Sequence, residues 1–333
     1  MNEALLTRLF KSIDGNSDTP IVKIAYSIIE EEKKKGHGIL ASKLIKILSE
    51  RISREDKIKA SLILTKDREY KIPVDRRYRL PLATHVEHEY LRHQMILAPQ
   101  VEEKILRIEK EYLARERLAL HGLKPRKKIL FYGHSGCGKS MSAERIAKDL
   151  GLPFYRVRFD TIISSYLGES ASNLQKLFES IEDFPCVLLL DEFDIIGKQR
   201  DLTSSDVGEI HRIVNIFLGL LEEYTGEGII IATTNLEGSI DKALFRRFDD
   251  FIEFPRPGKN EIVQLLKISF SALTLSKKIN LDTFAEKMVG MSNAIVVKIA
   301  HDASKRSVIN ASKEISIEDL TWAIEENMAL NCV

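Results

Sequence analysis

The stretch FYGHSGCGKS, from Phe131 to Ser140, decides how the rest of the chain is interpreted. It matches the spacing G-x-x-x-x-G-K-[ST], follows the apolar run KILFY and opens the amphipathic pattern SMSAERIAKDLG. A strand, a glycine loop and a helix in this order allow backbone N–H groups to surround phosphate oxygens. The plain alternative is a glycine turn before a helix, and the flanking strand and helix patterns favour the phosphate site over it.

The loop therefore predicts a site for ATP and Mg²⁺. Glycine allows backbone conformations that other residues rarely adopt, and the helix N-terminus adds N–H donors and partial positive charge. Lys139 is expected to reach the β- and γ-phosphates, and Ser140 to bind Mg²⁺. The predicted nucleotide-binding residues are Gly133, His134, Ser135, Gly136, Cys137, Gly138, Lys139, Ser140, Met141 and Asp191.

Two later stretches add the groups that hydrolysis needs. CVLLLDEFD ends a continuous apolar run with Asp191 and Glu192, and GIIIIATTN ends at Asn235. Ligands of open α/β sheets gather at the carboxyl ends of the strands. We expect Asp191 to bind Mg²⁺ and Glu192 to orient or deprotonate the attacking water. Asn235 is a candidate partner of the water or the γ-phosphate, although an Asn after a strand is by itself more often a turn residue.

Composition limits the function classes. The chain has 333 residues, 44% apolar residues and a net charge of +1, which argues against a nucleic-acid binder that relies on bulk charge. Its three cysteines fit no disulfide framework or metal spacing, and no apolar run is long enough for a membrane span. These features predict a soluble cytoplasmic protein.

The patterning divides the chain into four parts. Residues 1–70 alternate apolar and charged residues at helical spacing, and residues 71–96 carry prolines among charges and are interpreted as an irregular linker. Residues 97–257 alternate short apolar strands with helices, which is typical of a parallel sheet covered on both faces. Residues 258–333 are again predicted to be helical.

The motifs together resemble the AAA ATPases of the group proper, and most closely the stand-alone bacterial type with one ATPase module. The resemblance rests on GHSGCGKS, SSYLGESASNLQKLF, LLLDEFDIIGKQR, ATTN and DKALFRRFD, in the family's order, and covers residues 97–327. It implies an α/β fold of the P-loop NTPase type, an αβα sandwich with a five-stranded parallel sheet, a C-terminal helical lid and a mostly helical N-terminal domain. It also implies a homo-oligomeric ring, usually of six.

The same resemblance assigns roles to further residues. Arg246 and Arg247 match the arginine fingers that reach the neighbouring subunit's ATP, and Asn235 matches the γ-phosphate sensor. Ser292, Asn293 and Ala294 are expected near the adenine. Tyr166, Leu167 and Gly168 match a pore loop that grips an extended polypeptide, against the alternative of an exposed tyrosine before a helix.

The resulting prediction is an ATPase ring that remodels, unfolds or threads protein substrates, with a separately encoded protease or effector as a conceivable partner. Two other classes stay open at this point, a nucleic-acid-associated motor or loader and a nucleotide-dependent assembly switch. The near-neutral net charge argues against a nucleic-acid motor. Glu192, Arg246 and Arg247 argue against a nucleotide-dependent switch, because a switch that only binds nucleotide does not need them.

Overall fold

The chain divides into two compact units in the computed structural model. One comprises residues 65–261 and 290–294, and the other comprises residues 1–64, 262–289 and 295–333. The structure describes residues 72–75, 79–162, 169–193, 206–235, 246–312 and 314–328, together with positions 25, 28, 29, 32, 37, 40–45 and 47. The predicted pore-loop residues Tyr166, Leu167 and Gly168 lie outside the described residues.

The first unit is built on a six-stranded sheet with the order β1-β3-β4-β5-β2-β6. All neighbouring pairs are parallel except β1 and β3. The strands are β1 (Ala83–Val86), β2 (Lys128–Gly133), β3 (Phe154–Val157), β4 (Val187–Leu190), β5 (Ile229–Thr234) and β6 (Asp250–Phe254).

Helices connect these strands and cover the sheet. They are α1 (Pro99–Leu113), α2 (Arg115–Leu120), α3 (Lys139–Leu150), α4 (Phe159–Ile162), α5 (Glu169–Glu182) and α6 (Asp206–Glu223), and a short 3-10 helix spans His88–Tyr90. The predicted α/β sandwich on a parallel sheet is therefore confirmed, apart from the antiparallel pair of β1 and β3.

The central strand β4 is apolar throughout because both faces of the sheet are buried at that position. Leu188 and Leu190 of β4 belong to one hydrophobic cluster, and Val187 and Leu189 of the same strand belong to a second cluster. Successive side chains of a strand point to opposite faces, so a strand with helices on both sides has no position left for a polar residue. The run VLLL is accordingly fully buried.

The strand count is a correction, since the prediction was five strands. The sixth, β1, pairs antiparallel with β3 at the sheet edge, with Ala83 opposite Val157 and Val86 opposite Phe154. It lies within residues 71–96, which we interpreted as an irregular linker. A four-residue strand close to Pro81 has too short an alternation to be distinguished from a loop by its pattern.

The chain continues after the sheet through four helices and a small two-stranded parallel sheet. Their bounds are α7 (Lys259–Ser269), β7 (Thr274–Leu275), α8 (Leu281–Met288), α9 (Asn293–Ile309), β8 (Glu314–Ile315) and α10 (Ile317–Met328). Among the described residues of the N-terminal region, Ala25, Ile29, Ala41 and Leu44 form a small buried cluster. None of the helices in the described ranges combines the length and apolar character needed to cross a lipid bilayer.

The packing of the segment before β1 gives a direct test. Leu82 is fully buried in the hydrophobic cluster that contains Leu188 and Leu190, whereas Leu80, two residues earlier, is 41% exposed. We expect Leu82→Ala to lower the free energy of unfolding by about 2–5 kcal/mol, because it leaves a cavity under the sheet edge. The matched change Leu80→Ala should cost far less. Urea titrations of the two variants make the comparison, and equal losses would contradict the assignment of this segment to the core.

Candidate active site

The loop between β2 and α3 is shaped by glycines with left-handed backbone. Gly136 has φ of 74° and Gly138 has φ of 99°. A Cβ at Gly136 would lie 2.9 Å from Oγ of Ser292 and 3.0 Å from Cβ of Ala294. Glycine is therefore needed at Gly136 both for its conformation and for the close approach of residues 290–294.

The N-terminus of α3 is left available to an anion. This helix begins at Lys139, and no side chain of the described residues caps its first turn. The first N–H groups of a helix have no partner within the helix and carry partial positive charge. Together with the loop, they form a site that suits a phosphate group.

Lys139 joins the loop to the end of β5. It is buried, and its Nζ donates hydrogen bonds to the carbonyl oxygens of Gly133 (2.6 Å) and His134 (2.8 Å) and to Oδ1 of Asn235 (2.8 Å). The structure thus brings together two residues that are 96 positions apart and that the sequence nominated separately. The ammonium is held beside the loop with all three protons directed at oxygen atoms.

A second contact joins α3 to β4 through the carboxylate of Asp191. Oγ of Ser140 donates to Oδ1 of Asp191 at 2.7 Å, and Oγ1 of Thr233 donates to the same oxygen, also at 2.7 Å. A serine hydroxyl beside a carboxylate is the hard-oxygen donor set that Mg²⁺ prefers. Ser140 and Asp191, the two predicted metal ligands, therefore fit this ion.

Glu192 follows in a strained turn. Its φ of 53° lies in the left-handed region, which costs a non-glycine residue about 1–2 kcal/mol. Thr233 holds the turn, because its Oγ1 accepts from the backbone N–H of Glu192 (3.0 Å) and its carbonyl accepts from Phe193 (2.8 Å). The side chain of Glu192 is exposed. The second carboxylate of the pair is therefore accessible to solvent at the end of the buried strand.

Sequence reasoning missed Thr233, although a signal was present. The motif ATTN was used for its final asparagine, yet Thr233 is a fully buried polar residue at the end of an apolar strand. A buried hydroxyl needs hydrogen-bond partners, and such a position near the carboxyl end of a strand indicates a role in the site.

A cluster of charges that the sequence did not predict lies beside Asp191. The buried carboxylate of Glu144 in α3 accepts from Nε and Nη2 of Arg92 at 2.9 and 2.6 Å, and from Nη2 of Arg156 at 3.1 Å. Nε of Arg156 is 4.0 Å from Oδ2 of Asp191. The hydrogen bond to Glu144 raises the pKa of Arg92. The cluster fixes α3 against the segment before α1 and places positive charge next to the predicted metal ligand.

Residues predicted to approach the adenine meet the segment before α1. Nδ2 of Asn293 donates to the carbonyl of Ile96 at 3.1 Å, and the N–H of Ala294 donates to the carbonyl of Gly136 at 3.0 Å. Cys137 and Asn293 line a narrow pocket here with a volume of about 10 Å³, roughly the space of one water. These contacts hold residues 290–294 against both the glycine loop and the segment before α1.

The two predicted arginine fingers shortly precede β6. Arg246 is exposed, and Nη2 of Arg247 is 3.0 Å from Oε2 of Glu222 in α6. In the part of the chain that the structure describes, neither arginine forms an ion pair with Asp191 or Glu192. A single copy therefore places the loop, the lysine and the two carboxylates together, and leaves these arginines out of that group.

Comparisons with known proteins agree with this geometry. A family model described as the ATPase family associated with various cellular activities (AAA) matches residues 129–256. An AAA family ATPase of Sinorhizobium fredii is 34% identical over 325 residues, which cover 97% of this chain and 94% of that protein. These findings confirm the resemblance drawn from the motifs.

Other relatives match a shorter part of the chain. A putative 26S proteasome regulatory subunit homolog of Methanocaldococcus jannaschii is 31% identical over 235 residues, 69% of this chain and 62% of that protein. A proteasome-activating nucleotidase of Thermococcus onnurineus is 33% identical over 211 residues, 62% of this chain and 53% of that protein. The chain thus matches about half the length of the nucleotidase.

The double role of Thr233 predicts a measurable effect on turnover. Thr233→Val keeps the shape of the side chain but removes the hydroxyl that binds Asp191 and the N–H of Glu192. We expect kcat for ATP hydrolysis to fall roughly tenfold or more, since leaving buried polar groups unpaired costs about 1–3 kcal/mol. Thr233→Ser retains the hydroxyl and should preserve most of the activity. A Val variant as active as the Ser variant would show that the hydroxyl is dispensable.

Proposed function

Because the chain belongs to the AAA family of ATPases and hydrolyses ATP, we propose that it works as a homo-oligomeric ring of six copies that unfolds or remodels protein substrates. The observation that carries the site assignment is the shared carboxylate of Asp191, bonded to both Ser140 and Thr233 beside the Lys139–Asn235 pair. The proteasome-related names of two relatives support protein substrates and are compatible with a separately encoded protease partner.

ATP binding rests on the loop and on Lys139. The phosphate oxygens would accept hydrogen bonds from the backbone N–H groups of residues 134–138 and of the first turn of α3. Lys139 would exchange one of its present acceptors for a phosphate oxygen. If that acceptor is Oδ1 of Asn235, the asparagine is released to bond the γ-phosphate or the water, so that it reports on the nucleotide state.

Mg²⁺ would be held by Ser140 and, directly or through water, by Asp191. The ion supplies positive charge that neutralises the charge on the phosphate oxygens. The hydrogen bond from Thr233 orients the carboxylate of Asp191 and leaves its Oδ2 facing Arg156. The serine hydroxyl and this carboxylate are in contact already, so little rearrangement of the two ligands is needed.

Glu192 is the residue we assign to the attacking water. Its carboxylate lies one residue beyond the metal-binding aspartate and projects from a turn that Thr233 holds. A carboxylate so placed can orient the water and accept its proton as the bond to the γ-phosphorus forms. The strained backbone is retained because it serves this placement.

The positive charge that the transition state still needs would come from a neighbouring copy. Arg246 is exposed, whereas Arg247 is engaged with Glu222 of its own chain, so Arg246 is the better candidate for the finger. An arginine at that position is worth about 10³–10⁵ in rate. Hydrolysis would then depend on assembly, and Tyr166, Leu167 and Gly168 would use the resulting motion to grip the substrate polypeptide.

Two variants separate binding from hydrolysis. Lys139→Ala should lose ATP binding, because the ammonium that contacts the phosphates is gone. Glu192→Gln should bind ATP with near-normal affinity and fail to hydrolyse it. Equilibrium binding of a fluorescent ATP analogue and phosphate release measure the two properties. Normal turnover by the Glu192→Gln protein would show that Glu192 takes no part in the chemistry.

The Glu192→Gln protein should also stay bound to its protein substrate when ATP is present. A pull-down with this variant in ATP tests that expectation.

Mixing experiments test the arginine in trans. Arg246→Ala should bind ATP without hydrolysing it, and Lys139→Ala should not bind ATP yet still offer Arg246 to a neighbour. In a one-to-one mixture about a quarter of the sites combine a competent loop with a competent arginine, so activity should return to roughly that fraction. Two inactive proteins that stay inactive when mixed, although they co-assemble, would contradict a shared site.

A further inference from the structure

An open groove on the second unit has no role in the ATP site. It lies between α9 and α10, has a volume of about 490 Å³, and is lined by Asp302, Lys305, Arg306, Ile309 and Trp322. Ile309 is 81% exposed and Trp322 is 40% exposed. We call these five residues the lid groove. Exposed apolar side chains that form a contiguous patch often mark an interaction site, whereas single exposed ones are common on protein surfaces.

The floor of the lid groove is fixed by internal contacts. The guanidinium of Arg306 stacks on the indole of Trp322 with 4.8 Å between its carbon and the ring centroid. Nε of the same arginine is 3.4 Å from Oδ1 of the buried Asp319. Lys305 is 3.2 Å from Asp302. Both cations of the lid groove are engaged in these pairs. The exposed part of the indole, on which Arg306 does not stack, and the side chain of Ile309 form the surface offered to a partner.

The rim of the lid groove on α10 is acidic. Glu318, Glu325 and Glu326 are exposed and stand four positions before, three after and four after Trp322, which places them on the same side of the helix. The sequence of α10 contains no lysine or arginine. A partner suited to this surface would carry an apolar anchor flanked by cations.

The first unit of the same chain carries such a segment. Residues 117–124 comprise the end of α2 and the turn that follows it, and we call this segment the basic turn. Leu120 is 84% exposed and Leu123 is 57% exposed. Arg117 and Lys124 are exposed at its two ends, and the segment contains no acidic residue. It offers two apolar side chains between two cations.

The basic turn is also held in shape before any contact. Gly122 adopts φ of 70°, and its N–H donates to the carbonyl of Ala119 at 3.0 Å. The N–H of Leu123 donates to the carbonyl of Leu118 at 2.9 Å. A segment that is already ordered loses little conformational entropy on binding, which favours it as one side of an interface.

We propose that the basic turn of one copy docks in the lid groove of a neighbouring copy, with Leu120 against Trp322 and Ile309, and with Arg117 and Lys124 facing the acidic rim. The partner is a second copy of this chain, and the argument is the match of charge and apolar surface between two different patches. Such a contact is heterologous, the type that closes a ring. The inference rests on the ring in the proposed function and identifies one of its interfaces.

Charge reversal tests this pairing on the full chain. One variant carries Glu325→Lys and Glu326→Lys, and a second carries Arg117→Glu and Lys124→Glu. Each should raise the protein concentration at half-assembly by at least about tenfold, because like charges then meet at the interface. Sedimentation velocity with a non-hydrolysable ATP analogue measures assembly. A control with Glu87→Lys and Glu89→Lys makes the same charge change at an exposed site elsewhere and should assemble normally.

Mixing the two reversed variants gives the decisive result. Every contact between the variants joins opposite charges in either order, so the mixture should assemble as the unmodified chain does, in alternating copies. A general loss of folding would not be repaired by mixing. Reversed variants that assemble normally alone, or that fail to assemble when mixed, would overturn the proposal, and the lid groove would then belong to a different partner.

A second comparison tests the apolar anchor without changing charge. Leu120→Ala should weaken assembly, whereas Leu113→Ala, which truncates a 65% exposed leucine outside the basic turn, should not. Equal effects of the two changes would argue against the pairing. An unmodified chain that stays monomeric with nucleotide would refute the ring itself, whereas an unmodified ring with indifferent variants would refute only this interface.

Discussion

The carboxylate of Asp191 is the point on which the structure of the site depends. One oxygen accepts hydrogen bonds from Ser140 at the start of α3 and from Thr233 near the end of β5, and the aspartate itself directly follows β4. Three segments that are distant in sequence are thereby held at one edge of the sheet. This is possible because parallel strands bring their carboxyl ends together, and because helices on both faces shield the strands from water and hold them in place.

At the same edge of the sheet, hydrogen bonds offset the cost of a strained backbone conformation. Glu192 is held in a left-handed conformation that a glutamate would not adopt without support, and Thr233 supplies that support while it also orients Asp191. Close by, the buried carboxylate of Glu144 is tolerated because Arg92 and Arg156 both bond to it. Removal of an arginine would leave a buried charge with fewer partners, so this cluster ties the position of α3 to the segment before α1, which contacts Asn293.

In the proposed ring, neighbouring copies would meet through two different kinds of interaction. Arg246 would place a positive charge at the reacting phosphate, where a fixed cation has a large effect on rate. The basic turn and the lid groove would bring together apolar surface and complementary charges, which set affinity and the choice of partner. With separate contacts for chemistry and for assembly, neighbouring copies could stay together while the catalytic contact changes.

The sequence by itself determined the phosphate loop, the carboxylates after β4, Asn235, and the alternation of apolar strands and helices that defines the sandwich. Each of these is a local pattern, in which spacing of three to ten residues carries the physical meaning. Only the tertiary structure decided the edge strand β1, the double role of Thr233 and the joining of Arg92, Glu144 and Arg156. These depend on which distant segments meet, and a hydrogen bond between residues 52 positions apart leaves no periodic trace in the chain. Local pattern thus fixed which chemical groups are present, and packing fixed which of them act together.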